Sequence, residues 1–159
     1  MKKGTVLFLS GLILGVGLTL LLTFVVISKK MFVVMESKYG FSETIGHLEE
    51  SVAENKWSIP HRYDLQATLE GKGLQVDSVN VFSLCNPRFA YEILNSDNNR
   101  LVSAIMPCRV SVYEKDRKTY ISMLNSDLFA RFLGKEVKDV LETASSENLK
   151  ILEPLVEFR

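Results

Sequence analysis

The chain has 159 residues, with 19 basic and 19 acidic side chains and a formal net charge of zero. With Lys2, Lys3, Lys29 and Lys30 set aside, residues 31–159 hold 15 basic against 19 acidic groups, a net of −4. Such a segment is a poor nucleic-acid binder, because phosphate backbones demand clustered Lys and Arg. Its two cysteines are too few for a disulfide scaffold or a four-thiolate zinc site.

The mean hydropathy of +0.11 is high, and the excess lies at one end, where residues 4–28 carry no charge. As a helix that run reaches about 37 Å, enough to span a bilayer core of about 30 Å with some tilt. A cleaved signal peptide has a shorter apolar stretch and a small-x-small cleavage site. Ile27-Ser28-Lys29-Lys30 offers no such site, so the expectation is a retained transmembrane anchor over residues 1–30 and a second domain over residues 31–159. Gly11, Gly15, Thr19 and Thr23 recur every fourth residue and fall along one helix face, the kind of small-residue stripe on which membrane helices pair. Basic residues nearly balance across the span. The short basic head favours a single span in a bacterial cytoplasmic (inner) membrane, with the domain on the outer, periplasmic side.

Residues 31–37 are apolar and partly β-branched, a strand leaving the membrane almost without a linker. Ser42 is placed to cap a helix whose apolar face carries Ile45, Leu48 and Val52, running to about Lys56. Residues 57–63 form a short strand that Pro60 confines to an edge or a bend. Asp64 caps a brief helix to Leu69, stopped by Gly71 and Gly73. Residues 76–85 alternate as a strand, with Val79, Val81 and Cys85 on one face and Phe82 and Leu84 on the other. Asn86-Pro87 opens a helix through Leu94, and residues 96–99 are a turn cluster. Residues 108–114 form a strand with Cys108, Val110 and Val112 on one face and Arg109, Ser111 and Tyr113 opposite. A charged turn, Lys115-Asp116-Arg117-Lys118, returns the chain as a hairpin over residues 119–124. Residues 125–127 cap a helix that continues to Glu153, with Gly134 inside it as a kink or break. A close antiparallel pair mixed with helices predicts an α+β fold, a mostly antiparallel sheet with helices on one face.

Cys85-Asn86-Pro87, followed some twenty residues later by Met106-Pro107-Cys108-Arg109-Val110-Ser111-Val112-Tyr113-Glu114, resembles the domain-of-unknown-function-302 family. Ile121-Ser122-Met123-Leu124-Asn125 is similar to that family's next strand, and residues 41–59 to its first helix and the strand after it. The resemblance implies a fold like half of the TATA-box-binding protein's saddle, paired as a homodimer. It imports neither DNA binding nor chemistry, because fold does not carry function.

The chemistry-bearing candidates are Cys85, Cys108 and Met123, with Met106 near them. Both cysteines share the face of their strands' valines, so on neighbouring strands a thiol pair and a thioether would converge on the inner face. Three readings stand: two small buried hydrophobes, a disulfide or redox pair, and a soft-metal site of the Cu(I) type. Arg109 is a candidate for holding an anion or meeting a dimer partner, beside the plainer reading of a solvated strand arginine. His47 and His61 lack metal-ligand spacing, and no nucleophile or phosphate-loop motif is present. The leading function is therefore a membrane-anchored, non-enzymatic binding or accessory domain. It would act in membrane lipid beside another membrane component or a second copy. The alternative is a sulfur-based redox or soft-metal site at Cys85 and Cys108, and an enzyme with an unfamiliar site in a dimer cleft is the third class.

Overall fold

The computed structural model describes residues 3–157 and divides after Met31 into two units. The first is a single helix, α1 (Lys3–Lys30), whose stretch Phe8–Lys30 is long and apolar enough to cross a membrane. Gly11, Gly15, Thr19 and Thr23 are all exposed along it, and Thr19 Oγ1 donates to the Gly15 carbonyl at 2.8 Å.

The second unit is built on five antiparallel strands: β1 (Phe32–Glu36), β2 (Ser58–Asp64), β3 (Val79–Cys85), β4 (Cys108–Lys115) and β5 (Lys118–Leu124). They lie in the order β1-β5-β4-β3-β2. Side chains on a strand alternate between faces, and residues paired across strands share one. The register pairs Phe82 with Val110, Leu84 with Cys108, Val112 with Ile121 and Val110 with Met123. Phe82, Leu84, Val110, Val112, Ile121 and Met123 therefore form one face, and all six are buried. They pack with Leu48 and Val52 of α2 (Phe41–Glu54), Phe89 and Ile93 of α4 (Pro87–Leu94), and Val137, Leu141 and Ile151 of α6 (Lys135–Leu152). The opposite face keeps half-exposed residues such as Val81 and Ser111, and β1 leaves Phe32 and Val34 exposed there. The fold is α+β, an open antiparallel sheet carrying helices, compatible with a saddle half.

Local chemistry explains most element ends. Asp64 caps α3 (Leu65–Glu70) by accepting from the Ala67 amide at 2.8 Å, and Asn86 caps α4 by accepting from the Arg88 amide at 3.1 Å. Pro87 occupies the start of α4, where a missing N–H costs nothing. Pro60 falls where the β2–β3 register shifts, on the edge strand that tolerates it. Gly134 breaks the last helical segment into α5 (Ser126–Ala130) and α6, for which it is the cap residue.

Two local expectations need correction. Ser42 does not cap α2: the cap residue is Gly40, and the buried Thr44 hydroxyl secures the turn, 2.8 Å from the Gly40 carbonyl and 2.7 Å from the Ser37 hydroxyl. The turn cluster at residues 96–99 is the start of a longer 3-10 helix, Asp97–Ile105. Long-range hydrogen bonds then clamp α6 in place. Ser51 Oγ donates to the Ile151 carbonyl at 2.7 Å, and Trp57 Nε1 donates to Glu147 Oε2 at 2.8 Å.

Lys115 pairs with Lys118, which leaves a two-residue hairpin turn with φ of 53° at Asp116 and 63° at Arg117. Positive φ at both positions is the primed turn that fits strand twist, and its second position favours glycine because Cβ crowds the left-handed conformation. Arg117→Gly should therefore raise stability by about 1 kcal/mol. Urea unfolding of the full chain in detergent tests this, and a lowered midpoint would show that the arginine side chain holds the turn.

Candidate functional site

The strand ends and starts converge at one end of the sheet: β3 and β5 finish there, while β1 and β4 begin. A cavity of about 620 Å³ opens at that end. From the helix-covered face it is lined by Cys108, Val110 and Met123, from α5 and α6 by Phe129, Leu141 and Asn148, and from the preceding loop by Met106 and Pro107. Ser111, Ser122 and Arg109 line it from the other face, with Tyr63 and His61 of β2. The lining is mainly apolar, with polar groups at few places, as small-molecule sites usually are.

Asn148 is the exceptional member. It lies on the stripe of α6 that carries Leu141, Ala144 and Ile151, and it is 0% exposed. Its Nδ2 and Oδ1 are enclosed and make no close hydrogen bond, and the polar group that the side chain meets is the Cys108 thiol. Buried polar groups nearly always find a partner, and one left without costs about 1–3 kcal/mol. Asn80, buried toward the other end of β3, follows that rule by accepting from Arg62 Nε at 3.0 Å.

The cysteines need a correction. They sit on adjacent strands, but Cys108 faces Leu84, so it belongs to the covered face, and Cys85, one residue on, falls in the other phase with Val79 and Val81. The two sets of valines lie on opposite sides of the sheet: those of β4 face the core and those of β3 face away. Both thiols are free, and both border a small hollow of about 30 Å³ beneath α4. Met123 shares the face of Cys108, and those two sulfur groups meet at the wall of the larger cavity. Among the described residues no three His, Cys, Asp or Glu side chains are grouped as metal ligands.

Burial pushes the Cys108 thiol above its ordinary pKa. The Asn148 side chain beside it pulls down, Cys85 pushes up through space, and a backbone contact pulls down, in decreasing order. At neutral pH the cavity wall thus carries a neutral thiol, a weak nucleophile and a weak hydrogen-bond donor.

Arg109 is opposite Ser83 on the less covered face, exposed, with its guanidinium 4.9 Å from the Tyr63 ring centroid. That stacking holds it at the cavity wall with its polar edge free to turn toward an occupant. His61 stacks on Tyr63 with centroids 6.2 Å apart, whereas His47 lies away on α2 with Nδ1 3.3 Å from Glu50 Oε2.

The family model described as "Domain of unknown function DUF302" matches residues 33–155. The chain belongs to the DUF302 family. A crystal structure of an uncharacterized conserved DUF302 protein from Bacillus stearothermophilus shares the fold, with a TM-score of 0.72 and 24% identity. The match covers 79% of this chain and 98% of that one. No curated protein matches the chain.

In this DUF302 domain Asn148 is the residue that the motifs do not mark. Its signal is an asparagine at helical spacing among apolar residues, three to four positions from Ala144 and Ile151. His61 and Tyr63, on a strand that reads as a mere edge, are brought to the cavity by pairing with Ser83 and Val81.

A thiol kept protonated by the fold but free to ionise when unfolded supports stability below its ordinary pKa, and that support is lost as pH rises toward the folded value. Between about pH 7.5 and about pH 9.5 the wild-type urea midpoint should fall more than that of Cys108→Ala. Equal slopes would place the thiol in contact with bulk water.

Proposed function

We propose that this protein is a membrane-tethered binding domain that takes a small, largely apolar molecule into the cavity at the end of the sheet. The cavity carries the reading: about 620 Å³ lies within the range of roughly 300–1,000 Å³ typical of small-molecule sites. The apolar helix supports the tether, since Phe8–Lys30 has the length and composition of a membrane span. Its exposed side with Gly11, Gly15, Thr19 and Thr23 suits close pairing with a second copy or another membrane helix. In this reading the domain is an accessory that captures or presents a molecule at the outer face of the cytoplasmic membrane, and no step of chemistry is assigned to it.

A second reading, soft-metal or thiol handling, is favoured by one observation, the shared cavity wall of Cys108 and Met123. A thiolate and a thioether select ions such as Cu(I), but the raised pKa of Cys108 works against thiolate formation. Competition with a chromophoric Cu(I) chelator decides between the two. The binding-domain reading expects no difference between wild type and Cys108→Ser, whereas a loss of tenfold or more (about 1.4 kcal/mol) would establish the metal site.

Two measurements test the main reading. The full chain should stay with membranes through an alkaline carbonate wash, and mature protein beginning near residue 30 would overturn the anchor. Gentle extraction followed by native mass spectrometry should show a bound small molecule in roughly stoichiometric amount. Ser122→Trp, which fills the cavity from β5, should remove it. Protein that carries nothing, with a melting temperature unchanged by Ser122→Trp, would count against a binding cavity.

A further inference from the structure

We infer that the occupant of this cavity is an amphiphile with a single carboxylate, its head on Arg109 and its apolar body along Leu124 and Phe32. The inference rests on the cavity being a binding site and names the class of molecule it takes. Pairing sets His61 level with Ser83, and Ser83 level with Arg109. One step beyond the Val110–Met123 pair, the register sets Arg109 level with Leu124, which pairs with Phe32. These residues form one row across the sheet, one from each strand, on the face away from the helices, and all of them line the cavity. The row is polar over β2, β3 and β4 and apolar over β5 and β1. Arg109 and Phe32 stand roughly 10 Å apart, at two strand spacings. Phe32 is 57% exposed, apolar surface that an occupant would remove from water.

Charge selects the head group. Among the described residues of the lining, Arg109 is the one Lys or Arg, and none is Asp or Glu, although residues 31–159 hold a net charge of −4. Arg62, Arg88 and Arg100 each hold a carboxylate of the chain, whereas the Arg109 guanidinium lies over the Tyr63 ring. Stacking uses the flat face of the guanidinium and leaves its N–H edge for an acceptor. A carboxylate meets that edge through two parallel hydrogen bonds. A neutral head forgoes the charge, a cation is repelled, and a phosphate monoester sets up to about two negative charges against one guanidinium. The Ser83 hydroxyl, on the strand beside Arg109, is a further donor for a carboxylate oxygen.

The experiment uses the full chain in lipid nanodiscs, with protein-free discs as the blank. Octanoate, octanamide and octyl phosphate are measured by equilibrium dialysis, below the concentrations at which they form micelles. Octanoate should bind at least about tenfold more tightly than octanamide, the worth of one charge-assisted pair. Arg109→Gln should remove that advantage and leave octanamide binding unchanged, which also shows that the variant is folded. Phe32→Ser should weaken octanoate and octanamide alike. Palmitate carried in the disc lipid separates the sources: it displaces octanoate if the amphiphile comes from the bilayer, and leaves it in place if the amphiphile comes from water. If octanamide or octyl phosphate binds the parent as tightly as octanoate, or Arg109→Gln keeps full octanoate affinity, the carboxylate inference fails while the cavity stands as a binding site. If none of the three binds, as when a second copy fills this face, the binding-site reading fails with it.

Discussion

The pairing of Phe82 with Val110, and of Val110 with Met123, decides which half of each central strand is buried. A slip of one residue would turn every side chain to the other face, exposing Phe82 and Leu84 and burying Arg109. The register therefore places Cys108 and Met123 on the covered face, keeps Arg109 on the other, and brings both sets of residues to one end of the sheet, where the cavity opens.

Helix α6 completes that arrangement at an energetic cost. Its buried stripe is apolar at Val137, Val140, Leu141, Ile151 and Leu152, and it could have been so at position 148. An enclosed amide whose polar neighbour is a weakly bonding thiol forgoes about 1–3 kcal/mol, a sizeable part of the roughly 5–15 kcal/mol by which a domain is stable. Natural sequences break local rules of this kind at sites where something other than stability is selected. The Cys108 thiol beside it is held neutral by the same enclosure, so the two polar groups at this wall differ in strength but not in charge.

The DUF302 match and the solved relative speak to the fold. At 24% identity, a shared architecture does not carry a shared activity, because function lives in a site set on a fold. What this domain can hold is set by the lining of its own cavity. Two different physical environments meet in this chain: a helix suited to lipid, and a domain whose core is closed by its own helices.

Much of the element map was legible in the residues, because it depends on local chemistry. Asp64 and Asn86-Pro87 announce helix starts through side-chain capping, Pro60 marks the edge strand, and Gly134 marks a helix boundary. The uncharged run of α1 is equally plain, since length and composition alone define it. The faces of β3 were not legible. Val79 and Val81 compete with Phe82 and Leu84, both phases are apolar, and alternation alone does not say which is buried. The partner strand decides, through Leu84 opposite Cys108, and with it the opposite phases of Cys85 and Cys108. Asn148 shows the same division. Its place among apolar residues is written in the helical spacing, but whether its amide is satisfied depends on what α6 meets across the core. A sequence specifies each element's alternation and ends; only packing between elements determines which phase is enclosed and which polar groups are brought together.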